Sequence, residues 1–280
     1  MIPAPFDYIR AQTLDEALAA LASGEDAKVL AGGHSLIPAM KLRLAQPKTV
    51  VDLGRISDLS YIREMDGKLA IGAMTTHFDI ESSALLKEKC PLLPEAAAQI
   101  GDVQVRNRGT IGGSLVHADP AADWPAPILA LDAEMEIAAP SGWRTVPARE
   151  FFVALMQSVV QPNEILVEIR VPTTGLSVAY VKFAQKASGF AIAGVAAVVD
   201  QSAKTVGIGV TGVANKAFRA TSVEEALRGK ILTPQAIAEA AGKAADGVEA
   251  LNDIHASAEF RAHLARVNTR RAIELAAGLT

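Results

Sequence analysis

The sequence predicts an α+β protein of more than one domain, and three observations lead there. Half of the 280 residues are hydrophobic, rich in Ala and Val, while only 5% are aromatic, a composition of mixed helix and sheet. The first 55 residues read as a β–loop–α–β unit with paired glycines at its first turn. Beyond residue 176, three strand-like runs are followed by three helical ones, the order of a separate α+β domain.

The elements follow in chain order. Thr13 to Glu16 form a capping box that opens a helix with the apolar stripe Leu14, Leu18 and Leu21, ended by Gly24. A short strand, 28–31, runs into Gly32 and Gly33, and a helix is expected over 35–44 with Pro38 in its first turn. Residues 49–53 read as the next strand. Residues 68–73 alternate as a strand does, and helices are expected over 76–82, 94–100 and 123–131, with a glycine-rich stretch at 109–114. Residues 134–138 and 143–146 form paired strands, and Pro147 stops the second.

Residues 164–171 alternate with Ile165, Val167, Ile169 and Val171 on one face, and 172–175 reads as a linker. Strands at 178–183, 191–200 and 205–213 and helices at 222–227, 233–245 and 258–275 complete the chain. The resulting partition is 1–55, 56–176 and 177–280.

Charge and cysteine content exclude several classes of function. A net charge of −4 with no long Lys/Arg run argues against a nucleic-acid surface. The single cysteine, Cys90, cannot form an internal disulfide and cannot supply the ligands of an iron–sulfur cluster or a structural zinc. A reducing cytoplasm is the expected compartment. The N-terminus lacks the apolar stretch of a signal peptide, and no window approaches the roughly 18 apolar residues of a membrane span.

The chemistry resides in two motifs, Ala31-Gly32-Gly33-His34-Ser35 and Thr110-Ile111-Gly112-Gly113-Ser114. Residues without a Cβ let the main chain turn tightly and bring amide N–H groups close to a phosphate, and a helix start adds further free N–H groups. Hydroxyls at Ser35, Thr110 and Ser114 are additional donors. Either motif alone is more often an ordinary turn; the two together strengthen the reading of a phosphate-bearing or dinucleotide-sized ligand. Neither fits the nicotinamide or P-loop fingerprint.

The wider wording carries a resemblance. Residues 29–43, VLAGGHSLIPAMKLR, and 109–126, GTIGGSLVHADPAADWPA, resemble the FAD-binding medium subunit of the molybdenum hydroxylases, the carbon monoxide dehydrogenase and xanthine dehydrogenase group. The resemblance runs from the opening IPAPFDY to the arginine-rich C-terminal helix. It implies a vanillyl-alcohol-oxidase-type fold, with FAD between two N-terminal subdomains and a C-terminal flavoprotein domain closing over it. By position it implies that Ala31 to Leu36 (including Gly32, Gly33, His34 and Ser35) form one pyrophosphate loop. Thr110, Ile111, Gly112, Gly113 and Ser114 would form the other. Ile100, Asp123, Leu166, Lys186 and Phe190 match further flavin contacts. Leu166 points away from the Ile165 and Val167 face and is expected to be free for a ligand. Ala184, Gly189 and Ser114 stand where relatives often carry Lys, an acidic residue and Asn.

The same resemblance implies an electron-transfer role within a mixed hexamer. Substrate (carbon monoxide, an aldehyde or an N-heterocycle) would be oxidised at a molybdopterin cofactor in a large partner subunit. Electrons would pass through 2Fe–2S clusters in a small iron–sulfur subunit to FAD here, and on to a quinone, NAD or oxygen. No catalytic side chain is expected. The alternative is a stand-alone FAD-dependent oxidase of the same fold.

Other residues have plainer readings. His77 and His117 are expected as polar loop or helix-start residues, Asp119 as a helix cap, and Trp124 as core. Arg106 and Arg108 suit either a phosphate contact or a surface. Arg261, Arg266, Arg270 and Arg271 read as a solvated helix face or partner surface.

Overall fold

The computed structural model describes residues 1–173 and 175–279. Thr174, within the expected linker, lies outside the described residues. Three larger sheets and one two-stranded sheet are formed among the described residues.

The first is a three-stranded parallel sheet in the order β1-β3-β2: β1 (Asp7–Arg10), helix α1 (Leu14–Ser23), β2 (Ala27–Leu30), helix α2 (Leu36–Lys41) and β3 (Thr49–Asp52). Thr13 caps α1 by accepting from Glu16 N at 3.2 Å. The Glu16 carboxylate accepts from Gln12 N at 2.6 Å, one residue before the cap. Ala17, Leu18 and Leu21 on α1 bury against Val51 and Leu53. β1 was missed in the sequence because all four of its residues are exposed. Its backbone pairing with β3 holds it, and no face announces it.

The second sheet is antiparallel, in the order β4-β5-β10-β6-β7. It contains β4 (Ile62–Met65), β5 (Lys68–Gly72), β6 (Glu134–Ala139), β7 (Gly142–Pro147) and β10 (Ile165–Pro172); β8 (Phe152–Ala154) and β9 (Gln157–Ser158) pair as a separate two-stranded sheet. Between β5 and β6 run α3 (His77–Ser82), α4 (Ala84–Lys89), α5 (Leu92–Ala97), α6 (Val103–Arg106), α7 (Ile111–His117) and α8 (Pro125–Ala130); α9 (Ala148–Phe151) follows β7. Leu69 and Ile71 of β5 are fully buried with Ile80, Leu93, Ile111, Leu115, Trp124 and Ile128 from these helices.

Strand β10 departs from simple alternation. A bulge between Leu166 and Glu168 shifts its register against β6. Ile165 and Val167 join the core of the first sheet, whereas Leu166, Ile169 and Val171 join the central core. Leu166 does stand off the Ile165 face, but it is 4% exposed and packed rather than free.

The third sheet is antiparallel, in the order β11-β12-β13-β14: β11 (Ser177–Ala184), β12 (Ala191–Asp200), β13 (Thr205–Thr211) and β14 (Phe218–Arg219). Helices α10 (Thr221–Leu227), α11 (Pro234–Ala241) and α12 (Ala258–Ala276) cover one face; Tyr180, Ala196 and Val198 on the other join the central core. Arg261 corrects the expectation of a solvated α12 face. It is buried, and its guanidinium donates to the carbonyls of Ile192 (3.0 Å) and Gly212 (2.6 Å) and to Asp253 (2.7 Å). Arg266, Arg270 and Arg271 are exposed as expected. No helix among the described residues is long and apolar enough to cross a membrane.

Candidate functional site

The first glycine motif is an open turn between β2 and α2. Gly33 has φ +78°, a conformation that L side chains rarely adopt. Ser35 precedes α2 without capping it through its side chain. The backbone N–H groups of Gly32, Gly33, His34 and Ser35 have no protein acceptor among the described residues. His34 and Ser35 are exposed, and His34 Nδ1 lies 3.1 Å from the Gly32 carbonyl. A set of adjacent amides without protein acceptors is free to donate to an anion.

The second motif differs from expectation. It is the first turn of α7 rather than a loop, with Thr110 as the cap accepting from Gly113 N at 3.2 Å. Ile111 N donates to Thr75 O at 3.1 Å and Gly112 N to Ala73 O at 2.9 Å. Those amides are thus engaged within the protein. A Cβ on Gly112 would stand 2.5 Å from the Ala73 Cβ, so this glycine lets α7 dock on residues 73–75. What stays unpartnered among the described residues is the Thr110 N–H and the hydroxyl of half-buried Ser114.

The two motifs meet. A Cβ on Gly32 would lie 2.1 Å from the Arg108 carbonyl oxygen and 2.7 Å from Gly109 Cα, and one on Gly113 would lie 3.2 Å from the Ala31 Cβ. Behind Gly109 sits His77, 4% exposed, whose Nε2 would be 2.7 Å from a Cβ placed there. The Trp124 indole N–H donates to His77 Nδ1 at 3.0 Å. Burial foremost, then the charges of His34 and Arg106, hold the His77 pKa down to about 4. His77 opens α3, a helix-start position as expected, and is a buried, neutral part of the junction.

The other expected contacts lie around this junction to different degrees. Half-buried Ile100 packs against the central core, and its carbonyl accepts from Arg106 at 3.1 Å. Arg106 also pairs with Glu81 at 2.7 Å, so it braces this turn, while Arg108 is exposed. Asp123, 5% exposed, accepts from the Tyr180 hydroxyl at 2.5 Å and from Lys182 Nζ at 2.9 Å. Burial raises its pKa against the opposing pull of Lys182 and Tyr180. Lys182 Nζ also donates to Gln99 O at 2.9 Å, tying the turn that carries Ile100 to β11.

Lys186 and Phe190 lie exposed on the turn between β11 and β12. That turn leans on the same segment: a Cβ on Gly189 would be 3.8 Å from Gly101 Cα. Leu166 belongs to the core described above. Asp119 accepts from Ala121 N at 2.8 Å and closes a turn instead of capping a helix. The pairing of His77 with Trp124, and of Asp123 with Tyr180 and Lys182, escaped sequence reasoning because the partners are distant along the chain, and no local pattern encodes such pairs.

Comparison with known proteins matches residues 4–174 to the FAD binding domain in molybdopterin dehydrogenase and residues 178–276 to the CO dehydrogenase flavoprotein C-terminal domain. The carbon monoxide dehydrogenase medium chain of Hydrogenophaga pseudoflava is 42% identical, over 99% of this chain and 98% of its own. The glyceraldehyde dehydrogenase medium chain of Sulfolobus acidocaldarius is 35% identical, over 98% and 99%. Among solved structures, carbon monoxide dehydrogenase from Hydrogenophaga pseudoflava lacking the Mo-pyranopterin moiety aligns with a TM-score of 0.96 and 43% identity over 99% of both chains. Quinoline 2-oxidoreductase from Pseudomonas putida 86 aligns with a TM-score of 0.94 and 33% identity, again over 99% of both.

Proposed function

This chain belongs to the FAD-binding family of the molybdopterin dehydrogenases, and from that premise we propose that it is the flavin-carrying electron-transfer subunit of a molybdenum hydroxylase. The observation that carries the reading is the contact of Gly32 with Arg108 and Gly109, which gathers the unpartnered amides of residues 32–35 beside Thr110 and Ser114. A diphosphate needs such convergent donors, and no lysine or arginine side chain has to be desolvated to provide them.

Bound FAD would supply one- and two-electron redox chemistry. The chain's own residues bind and orient it. Ala31 to Leu36 hold the diphosphate, with Thr110 N–H and the Ser114 hydroxyl completing the grip. Ile111, Gly112 and Gly113 shape the approach. Ile100, Asp123, Leu166, Lys186 and Phe190 form or support the surroundings of the ring. The partition 1–55, 56–176 and 177–280 puts the diphosphate grip between the first two parts and the hairpin of Lys186 and Phe190 on the third.

The partners follow from what one chain with a single buried cysteine can hold. Iron–sulfur clusters belong to a small subunit and the molybdenum cofactor to a large one, in the cytoplasm, with a quinone, NAD or oxygen as final acceptor. Relatives of similar identity are named for carbon monoxide, glyceraldehyde and caffeine, so the medium chain does not select the substrate.

The test is titration of the flavin-free chain with FAD. Stoichiometric binding that is lost in Gly32→Ala is expected. Failure of the wild-type chain to bind sinks the reading, and direct reduction of its flavin by a small organic substrate would favour a stand-alone oxidase.

A further inference from the structure

We propose that His77 is a further cofactor-binding residue, donating an Nε2–H to a phosphate oxygen of the dinucleotide at the junction of the two glycine motifs. The inference rests on the FAD reading above and assigns that site an additional side chain.

The proton's position is set by a neighbour. An indole N–H can only donate, and the Trp124 N–H lies 3.0 Å from His77 Nδ1. Nδ1 must therefore accept, which leaves the imidazole proton on Nε2. Trp124 is fully buried and tilted at 50° to the imidazole with ring centroids 5.7 Å apart, so the ring has a defined orientation.

That Nε2–H has no protein acceptor among the described residues, although the side chain is only 4% exposed. Among the described residues, the buried side-chain atoms sealed from solvent without a partner are Arg261 Nε and Thr269 Oγ1. His77 Nε2 is not among them, so it opens onto accessible space. A nearly buried donor aimed at space without an acceptor is unfavourable until something accepts from it.

The location names the acceptor. Nε2 rests against Gly109, and the same Gly109 Cα is what Gly32 approaches from the first motif. Exposed His34 is near enough to bias His77 against protonation. His77 Nε2 and the free amides of residues 32–35 thus flank the same short stretch of backbone, Arg108 and Gly109. A phosphate oxygen, which only accepts, completes that donor set. A neutral imidazole adds a donor there without burying a cation.

The full chain, stripped of flavin, is titrated with FAD and separately with ADP, which carries the diphosphate without the flavin ring. His77→Gln retains an N–H near the Nε2 position and is expected to bind both within about threefold of wild type. His77→Leu removes the donor and is expected to bind both about tenfold or more weakly. Equal affinity of the Leu variant and wild type overturns the proposal, as does a loss seen with FAD but absent with ADP.

Should the Leu variant not melt cooperatively, nitrogen-correlated NMR of the wild-type chain decides. A His77 Nε2–H signal that sharpens and moves downfield on adding ADP supports the assignment; a proton found on Nδ1, or no ligand-dependent change at Nε2, refutes it. Wild type binding no FAD sinks the underlying reading as well, whereas normal wild-type binding with an unaffected Leu variant sinks only the role of His77.

Discussion

Lys182 Nζ stands 2.9 Å from the Asp123 carboxylate, with the lysine side chain 3% and the aspartate side chain 5% exposed, and the same ammonium holds the Gln99 carbonyl. One cation thereby ties β11 to the segment before α8 and to the turn bearing Ile100. Removing one partner of such a pair leaves a charge buried without compensation. Lys182→Met should destabilise the chain by about 3–5 kcal/mol, whereas the double change with Asp123→Asn should recover most of that loss. Urea denaturation followed by far-UV circular dichroism measures both.

A methyl group at position 32 should separate the two glycine motifs. The Cβ of Gly32→Ala would meet backbone atoms of Arg108 at 2.1 Å, and backbone cannot swing aside as a side-chain tip can. The expected outcome is a purified protein with little or no flavin. The ratio of flavin absorbance to protein absorbance reads this directly, and full flavin content would contradict it.

His77 gives a pH dependence with a definite sign. Its pKa is about 4 in the folded chain against 6.5 as the ordinary value. Between those values the unfolded chain binds a proton that the folded chain does not, so stability rises with pH across the window. The contribution, on the order of 3 kcal/mol, is fully present above about pH 6.5 and is lost as pH falls toward about 4. His77→Gln should flatten this part of a plot of midpoint against pH.

On the outer face of the central sheet, buried Glu136 and Glu168 share Arg170, at 3.1 and 2.6 Å. Thr145 and Tyr61 donate to the same two carboxylates. Arg170→Met should lower the thermal midpoint sharply, because two nearly sealed carboxylates lose their shared cation. Lys48→Ala, which breaks a pair with Glu25 that is exposed on both sides, should leave it unchanged.

Phe190 is 48% exposed, so packing gives little reason for a large aromatic there. Phe190→Ala should leave the thermal midpoint within about 2 °C of wild type and should speed release of FAD. Stopped-flow recovery of free-flavin fluorescence compares the two rates, and identical rates would remove Phe190 from the cofactor's surroundings.

How much of this was legible depends on whether a feature is encoded locally. Thr13, Thr76 and Thr233 each announce a helix start, and each accepts from the backbone as a cap. The strand at 191–200 is readable to the residue because both its faces are buried. The glycine doublets were visible, but the way each is used was not. In the first the missing Cβ frees a turn with open amides, and in the second it lets α7 sit on residues 73–75. Ile169 and Val171 do not share the face of Ile165 and Val167 as expected, because alternation carries no mark of the bulge between Leu166 and Glu168. Arg261 reads as a surface residue in a helix rich in arginine, yet carbonyls from β12 and from the end of β13 enclose it.

The kink in β10 has a consequence for how the molecule comes apart. Ile165 and Val167 lie under the N-terminal layer while Leu166, Ile169 and Val171 lie under the central helices, so neighbouring positions of one strand fasten separate layers. Peeling away the opening layer would strip Ile165 and Val167 bare and loosen the strand that the middle layer is built around. The two layers are therefore expected to melt as a single calorimetric transition, and a fragment beginning after residue 55 should be sticky and poorly folded rather than a smaller version of the same protein.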